Sequence, residues 1–587
     1  MSSPKKSFIA LLACFCIATS SFSACGGDNV NSSSTDNSIS SSSVSALPNE
    51  SSSESSSESS LDSSSDDTTN ESSASSPDDD SSSMVPDDDS SLDSSSDDVS
   101  ESSSESSSSS TPVVPPMITP DDFENPAEEI WTDWTEDGSV ASQGLKLVLN
   151  ADNASYAVKE IGACDKTPNI VIPAEYEGKP VTTILDGAFW DQQNMQSVYI
   201  PDTITSIGYE AFWNCKNLTR VNIPDSVKKI GERAFYSCVN VTKIKIGSGA
   251  QSIGANAFGN CWALQFIQCS ENNSFYSTYK GSLYNKNQTQ ILQYAIGRNA
   301  LKVTLPDSVK QIGNNAFFQA KTLKAIEFSN NLTTIGNYAF ADCTSLTAVL
   351  QFPDTLTKIG NHAFSGCSSL TGTLSFPSAL TTIGDYAFNE CRKLSGTLTI
   401  PNTVTSLGQA AFYKCFNFTG LDLQANISEL KESVFYQCVN MHGALVLPNT
   451  LKKIGSKAFE WCYGFTSLQL NAGLTEIGES AFYYCYTIEK GVILPDTLTT
   501  IGDSAFAFCR KLPSITIGSS VTFIGKQAFH DCGALKTVTF TNPYGWIISA
   551  GSNVAGPTPA SPSDLQDGAK AAALLTQNYE SNSWTRN

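Results

Sequence analysis

The sequence predicts a repeat solenoid that is mainly β, with short turns and 3-10 segments between its strands. A phenylalanine recurs fourteen times from Phe189 to Phe529, at steps of 23 or 24 residues with one gap of 59. The surrounding pattern is L-x-x-I-G-x-x-A-F-x-x-C-x-x-L-x-x-V-x-I-P-D-T, of which residues 498–509 (LTTIGDSAFAFC) are a clean copy. Units of this size cannot bury their own apolar face, so they must stack on one another.

Each part of the repeat has a structural interpretation. The segment L-x-x-V-x-I alternates apolar and polar residues and is bounded by proline, which is typical of a short strand. Proline followed by Asp or Asn and by Thr, as in 201–203 and 448–450, predicts a turn. A second short strand leads to Gly, where the chain bends, and then to Ala-Phe, whose ring fills the core. Identical positions should therefore form ladders along the axis.

Residues 1–24 have the organisation of a signal peptide. Lys5 and Lys6 form a positive n-region, residues 8–18 form an apolar core, and small residues precede Cys25. The junction resembles a bacterial lipobox, so we predict lipidation of Cys25; ordinary cleavage, giving a secreted or periplasmic protein, is the alternative. The apolar core is too short to span a bilayer, so we expect the lipid to provide the anchor.

Residues 25–118 are rich in Ser, Asp and Glu, a composition that cannot bury enough apolar surface to fold. We predict a flexible stalk of about 90 residues that spans roughly 50 Å. Apart from Lys5 and Lys6, the chain up to residue 145 has 28 acidic and no basic residues, whereas 33 basic residues face 31 acidic ones from Lys146 onward. The net charge of −24 for the whole chain therefore comes from its acidic N-terminal part. No basic cluster is visible, which argues against a nucleic-acid partner.

Two caps are predicted around the repeats at 187–541. Residues 119–186 contain short alternating apolar runs and a degenerate first repeat, which indicates a β cap over the open end of the stack. In the segment 542–587, residues 563–578 have an initial Ser and the Ala/Leu spacing of a helix. We therefore expect a helical cap at the C-terminal end.

The gap of 59 residues is interpreted as one repeat plus an insertion at about 270–300. Within residues 275–298, two β-rich runs flank the turn-forming residues 285–288. This arrangement predicts a hairpin that protrudes from the solenoid.

The repeats and the motif Gly281-Ser282-Leu283-Tyr284-Asn285-Lys286 resemble the BspA-type leucine-rich repeat family of bacterial surface proteins and lipoproteins. The resemblance extends from residue 145 to the C-terminus. It implies a leucine-rich repeat solenoid on the cell surface, in a family some of whose members are adhesins. The family has no catalytic motif to transfer, and the acidic stalk is not part of its pattern.

The cysteine column is interpreted as packing. Twelve of the seventeen cysteines stand three residues after a repeat Phe, but Gln192 and Ala320 occupy the same position in two repeats. Equivalent side chains in stacked repeats point in parallel, which disfavours disulfides. A position that accepts Ala suits a small buried thiol. Cys164 and Cys269 fall outside the column and are the only plausible pair or reactive thiols.

No catalytic or metal-binding group is predicted, and no cofactor is expected. His362, His442 and His530 lie in different repeats, so no nucleophile–base pair or metal-ligand spacing is available. A column of Asp in the Pro-Asp-Thr turns is replaced by Asn402 and Asn449, as turn chemistry permits and acid catalysis would not.

Two variable sets of residues are candidates for ligand binding. The first is basic and lies on the outward side of the long strands: Arg220, Lys243 and Lys245. The second belongs to an aromatic stripe beside the cysteine column: Trp213, Trp461, Tyr463, Tyr483 and Tyr484. Alternatively, the first set is only part of a solvated sheet face. The second set can equally be interpreted as side chains that cover the core.

These observations predict a non-catalytic cell-surface protein that uses an extended solenoid face for adhesion or for protein or glycan recognition. We expect an extracellular protein or polysaccharide ligand, a membrane contact through the N-terminal lipid, and a monomer. The predicted location is the outer membrane or cell surface. A structural or assembly protein of the cell envelope is the alternative.

Overall fold

Each repeat folds as one coil with a longer strand, a short strand and tight turns between them. The structure is a computed structural model that describes residues 141–551 and 554–586. The predicted signal peptide, Cys25, the stalk and residues 119–140 of the predicted N-terminal cap lie outside the described residues. The mainly β solenoid is confirmed, with a β cap at its N-terminal end and a helical cap at its C-terminal end.

The N-terminal cap and the coils before the insertion form the first part of the stack. The cap strands are β1 (Lys146–Leu149), β2 (Tyr156–Glu160), β3 (Asn169–Val171), β4 (Glu175–Tyr176) and β5 (Lys179–Ile184), with a 3-10 turn at Gly162–Cys164. The coils contribute β6 (Ser197–Tyr199), β7 (Ser206–Ile207), β8 (Arg220–Ile223), β9 (Lys229–Ile230), β10 (Lys243–Ile246), β11 (Ser252–Ile253) and β12 (Phe266–Cys269). Equivalent strands pair in parallel and in register, so each column forms a ladder.

The insertion contains three antiparallel strands and then returns to the repeat. They are β13 (Tyr276–Tyr279), β14 (Ser282–Asn285) and β15 (Gln290–Gln293), followed by a 3-10 turn at Ile296–Arg298. β15 pairs in parallel with the next short strand, and Tyr294 stacks on Phe317 with centroids 4.9 Å apart. Tyr294 therefore occupies the Phe position of a degenerate coil. The insertion is shorter than the sequence predicts, because its second half belongs to the stack.

The longer part of the stack follows the insertion. Its strands are β16 (Lys302–Thr304), β17 (Gln311–Ile312), β18 (Ala325–Glu327), β19 (Thr334–Ile335), β20 (Lys358–Ile359), β21 (Thr382–Ile383), β22 (Gly396–Ile400), β23 (Ser406–Leu407), β24 (Phe418–Leu423), β25 (Glu429–Leu430), β26 (His442–Val446), β27 (Lys453–Ile454), β28 (Gly464–Gln469), β29 (Glu476–Ile477), β30 (Val492–Ile493), β31 (Thr500–Ile501), β32 (Ser514–Ile517), β33 (Phe523–Ile524) and β34 (Thr537–Phe540). Equivalent strands pair in parallel here as well. Both ladders thus continue beyond the insertion.

The C-terminal cap mixes strands and short helices. It contains β35 (Trp546–Ile548), β36 (Thr558–Pro559), α1 (Pro562–Gln566), α2 (Gly568–Ala573), a π-helical turn (Leu574–Asn578) and β37 (Trp584–Arg586). The helix predicted over 563–578 is broken at Asp567, whose extended backbone ends α1 and whose side chain accepts the N–H groups of Ala569 and Lys570 at the start of α2. β37 pairs antiparallel with β33 and β35, so the open edge of the short-strand ladder is covered.

Aromatic rings fill the core along the axis. The repeat Phe residues are almost completely buried, and neighbouring rings stack; Phe340 and Phe364, for example, have centroids 5.1 Å apart and planes 4° apart. Most repeat Phe residues also donate their backbone N–H to the carbonyl at the Ala position of the next coil, as Phe212 does to Ala234 at 2.7 Å. Hydrogen bonds and ring packing therefore hold each coil to the next.

The cysteine column is a row of buried hydrogen-bond donors. All twelve column thiols are free and buried, and each donates to the carbonyl of the Phe in the preceding coil at 3.1–3.3 Å. At Ala320 no thiol is present, and the carbonyl of Tyr294 accepts from the side chain of Gln293 instead. Cys164 and Cys269 are also free, and Cys164 donates to the carbonyl of Gln143. A small donor satisfies a carbonyl that the turn leaves buried.

Candidate functional site

The turn around each repeat Phe contains two residues in the left-handed conformation. They stand two positions before and two positions after the Phe, as Glu210 (φ 49°) and Asn214 (φ 60°) do around Phe212. Asn, Asp and Gly tolerate this conformation best, because a larger side chain crowds the backbone there. The second column accordingly holds mostly small or polar residues.

Three successive coils break this rule with large aromatic residues. Trp461, Tyr484 and Phe508 have φ angles of 64°, 60° and 61° in the second left-handed column. The centroid distance is 4.5 Å from Trp461 to Tyr484 and 4.3 Å from Tyr484 to Phe508, with interplanar angles of 13° and 4°. A left-handed backbone costs such residues about 1–2 kcal/mol each, and stacking offsets about 0.5–1.5 kcal/mol per pair. Because the left-handed backbone recurs around every repeat Phe, what distinguishes this row is the size and aromatic character of its side chains.

Three tyrosines extend this row into an aromatic cluster. Tyr483 meets Tyr484 and Phe508 edge to face at 5.0 and 5.2 Å, and Tyr463 meets Trp461 in the same manner at 5.8 Å. The guanidinium carbon of Arg510 lies 6.0 Å from the centre of the Tyr486 ring and 5.7 Å from that of Phe508. We use "aromatic cluster" below for Trp461, Tyr463, Tyr483, Tyr484, Tyr486 and Phe508. Tyr486 is 38% exposed and the other five are half-buried, so all six remain accessible.

A buried carboxyl group adjoins the aromatic cluster. Trp461 Nε1 donates to Glu460 Oε1 at 3.0 Å, and Glu460 is only 9% exposed. Its Oε2 has no hydrogen-bond partner within the described part of the chain. Burial raises the pKa of Glu460, and the bond from Trp461 opposes that rise. The Oε2 oxygen is itself buried, so the part of the site open to a ligand is the faces of the stacked rings.

A fixed cation lies at the other side of the cluster. Arg510 Nη2 is 2.6 Å from Asp531 Oδ2, and its Nε donates to the same oxygen at 2.8 Å. The pair is solvent-exposed and contributes little to stability. Its effect is to hold the guanidinium against Tyr486 and Phe508.

The remaining predicted site residues lie elsewhere. Trp213 stacks on Trp190, with centroids 5.0 Å apart, between the first two coils. Arg220 and Lys243 are register partners on β8 and β10, and Lys245 lies beside Asn222 on the outward side of the same sheet. The structure thus divides the predicted residues among three places and gathers only Trp461, Tyr463, Tyr483 and Tyr484 into one cluster.

Sequence reasoning missed part of this site. Glu460, Tyr486 and Phe508 were not among the candidate residues. The available signal was an aromatic residue at a position where all other coils have a polar residue or Gly. The same signal marks a ladder in the first left-handed column, where His362 stacks on Tyr338 at 4.5 Å and on Tyr386 at 4.8 Å.

Metal binding has no support in residues 141–551 and 554–586. Within these ranges, no three His, Cys, Asp or Glu side chains are close enough to hold a metal ion. No described helix combines the length and the apolar composition that a bilayer span requires.

Comparison with known protein families connects the sequence to one repeat family. The sequence profile of the BspA type leucine-rich repeat region, a unit of six copies, matches residues 182–300, 289–396, 349–443, 371–489 and 442–548. No curated protein has a significantly similar sequence.

Several solved structures resemble this one. A leucine-rich repeat protein from Bacteroides ovatus is 24% identical with a TM-score of 0.43, over 68% of this chain and 94% of its own. A leucine-rich cell surface protein from Faecalibacterium prausnitzii is 24% identical with a TM-score of 0.33, over 69% and 94%. The pneumococcal vaccine antigen PcpA is 19% identical with a TM-score of 0.38, over 54% and 93%. Because the family profile matches more than half of the sequence, this chain belongs to the BspA-type leucine-rich repeat family.

Proposed function

We propose that this protein is a non-catalytic binding protein of the bacterial cell surface, and that its aromatic cluster recognises an extracellular protein or polysaccharide. The repeat family suggests surface binding or recognition, and solenoids generally serve as scaffolds with extended binding surfaces. The observation that carries the proposal is the row Trp461, Tyr484 and Phe508. It places large rings at strained backbone positions where no ring is needed to fill the core.

The cluster has the chemistry of a recognition surface. Six aromatic side chains offer a large contact area at low conformational cost, because each has only two rotatable bonds. Arg510 supplies a cation beside the rings of Tyr486 and Phe508. Residues enriched at binding hot spots include Trp, Tyr and Arg, all of which are present.

Ligand arrays provide the test. The purified full-length protein is applied to arrays of glycans and of extracellular matrix proteins, and its best ligand is then titrated. The variant Trp461→Ala/Tyr484→Ala is expected to lose at least about tenfold in affinity, since removal of a hot-spot ring costs about 2 kcal/mol or more. The matched control is Trp190→Ala/Trp213→Ala, which removes another stacked pair.

The control separates a specific site from general loss of aromatic surface. Equal loss in both double variants would refute the assignment to the aromatic cluster. Loss of affinity only in the variant Arg220→Gln/Lys243→Gln would assign ligand binding to the basic strand surface instead. An absence of any ligand on both arrays would favour a structural role in the envelope.

We also propose that Cys25 carries the lipid and that residues 25–118 hold the repeats away from the membrane. Labelling cells with a radioactive fatty acid should mark the wild-type protein and leave Cys25→Ala unlabelled. Protease added to intact cells should remove the repeat region if it faces outward. Protection of that region would place the protein in the periplasm and would contradict surface display.

A further inference from the structure

The insertion creates a cavity beside the stack. It encloses about 340 Å³ between the β13–β14 hairpin, the degenerate coil and strands β16 and β18. Ligand pockets are usually between about 300 and 1,000 Å³, so a ligand the size of one sugar ring fits. This cavity is separate from the aromatic cluster, which is formed by coils near the C-terminal end.

The cavity exists because the hairpin interrupts the ladder of long strands. β12 ends one sheet and β16 begins another, and the N–H of Ile267 on β12 donates to the carbonyl of Gly281 in the hairpin turn at 2.9 Å. Gly281 has φ 70°, and a Cβ atom there would lie 2.8 Å from the ring of Phe266. The turn therefore replaces the missing strand only at this glycine, and a gap remains beside it.

The floor of the cavity is aromatic and apolar. Tyr284 and Tyr294 are each 3% exposed, and Ile291 is completely buried between them and the stack. Tyr279 meets Tyr284 edge to face, with centroids 6.3 Å apart, and continues the wall toward solvent. Ser282 and Thr304 add hydroxyl groups to the lining. Rings and hydroxyl groups together suit a compact ligand that is itself hydroxylated.

The charges at the cavity are unbalanced. Three cations, Lys280, Arg298 and Lys302, line it with one carboxylate, Glu327. Lys302 Nζ bonds Glu327 Oε1 at 2.6 Å, and Thr304 Oγ1 donates to Glu327 Oε2 at 2.6 Å, so both carboxylate oxygens are engaged. The bond from Lys302 contributes most to lowering the pKa of Glu327, and the bond from Thr304 lowers it further.

Arg298 and Lys280 are the cavity cations available to a ligand, and Arg298 is the more buried of the two. Among residues 141–551 and 554–586 no carboxylate pairs with the guanidinium of Arg298, although its side chain is half-buried. A guanidinium binds a carboxylate through two parallel hydrogen bonds, and this interaction strengthens where water is excluded. A ligand with an ammonium group would meet three cations and no free acceptor on Glu327. The charges therefore select an acid over a zwitterion or an amine.

We propose that this cavity binds a sugar acid, with the carboxylate on Arg298 and the hydroxylated ring against the tyrosine wall. The shared chemistry is a carboxylate on a six-membered hydroxylated ring, either as a free monosaccharide or as the terminal unit of an acidic polysaccharide. The site is independent of the aromatic cluster and binds its ligand whether or not that cluster has one.

The test is calorimetric titration of the full-length protein. Glucuronate and a glucuronate-terminated oligosaccharide are the probes, and glucose is the neutral control. At least one acidic probe is expected to bind at least tenfold more tightly than glucose, and comparison of the two identifies the free or the terminal form. Equal binding of glucose, or no binding of either acid, overturns the proposal.

Two variants locate the ligand. Arg298→Gln should weaken acid binding at least tenfold, whereas Arg392→Gln, which removes an exposed arginine from another coil, should leave it unchanged. An unchanged affinity in Arg298→Gln overturns the proposal. Hydrogen exchange of the wild-type protein avoids any folding defect of a variant. The acid should slow amide exchange in residues 279–304. Slower exchange only in other segments would also overturn the proposal. Trp461→Ala should not alter acid binding, which separates this result from the aromatic cluster.

Discussion

The regular stack at 301–540 and the joint at 270–298 solve the same packing problem in different ways. In the stack, each coil presents the same Phe, Ile and Leu positions to its neighbour, so rings and thiols form continuous ladders. At the joint the ladders are completed by single side chains. Tyr276 Oη accepts the N–H of Ile253 at 2.9 Å, at the end of the first short-strand ladder.

A buried asparagine completes the joint. Asn273 is fully buried and donates to the carbonyls of Gly247 and Ala250 at 3.0 Å, while its Oδ1 accepts the N–H groups of Phe275 and Tyr276 at 2.8 Å. The apolar core also divides here, with Leu283 in the N-terminal cluster and Tyr284 in the C-terminal one. Repetition thus gives a core of continuous apolar ladders, and its interruption gives a joint with a buried Asn and a cavity.

The largest expected effect is in the stack. Phe364→Ala removes a completely buried ring that stacks on Phe340 and on Phe388, at 5.1 and 5.2 Å. Truncation of a buried Phe costs about 3–5 kcal/mol, because a cavity remains in a core that repeats on both sides. Urea unfolding should show this loss, with Tyr338→Ala as a control at a 38% exposed ring. A loss below about 1 kcal/mol would mean that the stack relaxes around the cavity.

At the joint, Asn273→Ala should be almost as damaging although it removes no apolar surface. Four backbone groups lose their partner, two in buried and two in partly buried hydrogen bonds. An unsatisfied buried group costs about 1–3 kcal/mol, and water can reach the partly buried groups, so we expect a total of about 2–4 kcal/mol. Urea unfolding gives the value, and Asn287→Ala in the exposed hairpin turn is the control. Equal stability of the two variants would show that Asn273 does not support the joint.

The buried thiol column gives the coils a pH dependence of stability, for which Cys261 in the last coil before the joint is the example. Burial raises the pKa of Cys261 from its ordinary value of 9.0 to about 12. Below pH 9 this thiol is protonated in both states. Between pH 9 and 12 only the unfolded chain ionises, so the free energy of unfolding should fall by about 1.4 kcal/mol per pH unit for this group.

Urea unfolding from pH 7.5 to 10.5 measures this decline. Cys261→Ala should reduce the slope above pH 9 by the contribution of one thiol and should also lower stability at pH 7.5. An identical slope in the variant would show that this thiol does not titrate on unfolding.

The smallest expected effect is a single hydroxyl at the joint. Tyr276→Phe leaves the N–H of Ile253 without its acceptor and should cost about 1 kcal/mol. Amide hydrogen exchange should accelerate at Ile253, while Tyr279→Phe on the same hairpin should leave that amide unchanged. Unaltered exchange in Tyr276→Phe would mean that water replaces the hydroxyl without loss.

The repeat made the coils predictable from sequence, whereas the joint was only partly so. The alternation in L-x-x-V-x-I and the Phe spacing are local signals that recur in every coil, so their strands and buried rings follow directly. Tyr294 was assigned to the insertion because it lacks the Ala-Phe pattern. Only its stacking on Phe317 reveals that it belongs to the ladder.

The candidate sites show the same division. The aromatic stripe was visible in the sequence, including Trp461, Tyr463, Tyr483 and Tyr484. Neither the left-handed backbone of the row nor the vacant oxygen of Glu460 has a local signature. Both depend on how one coil lies on the next.

The sequence by itself determined the solenoid, its period, the residues of its core and the small buried role of the cysteine column, because each of these depends on spacing along the chain. The tertiary structure decided where the interruption opens a cavity, which of three candidate surfaces gathers aromatic side chains, and that Arg298 faces a cavity without a carboxylate partner among the described residues. These features depend on contacts between residues that are one coil or more apart, and the repeat fixes such contacts only where it is regular.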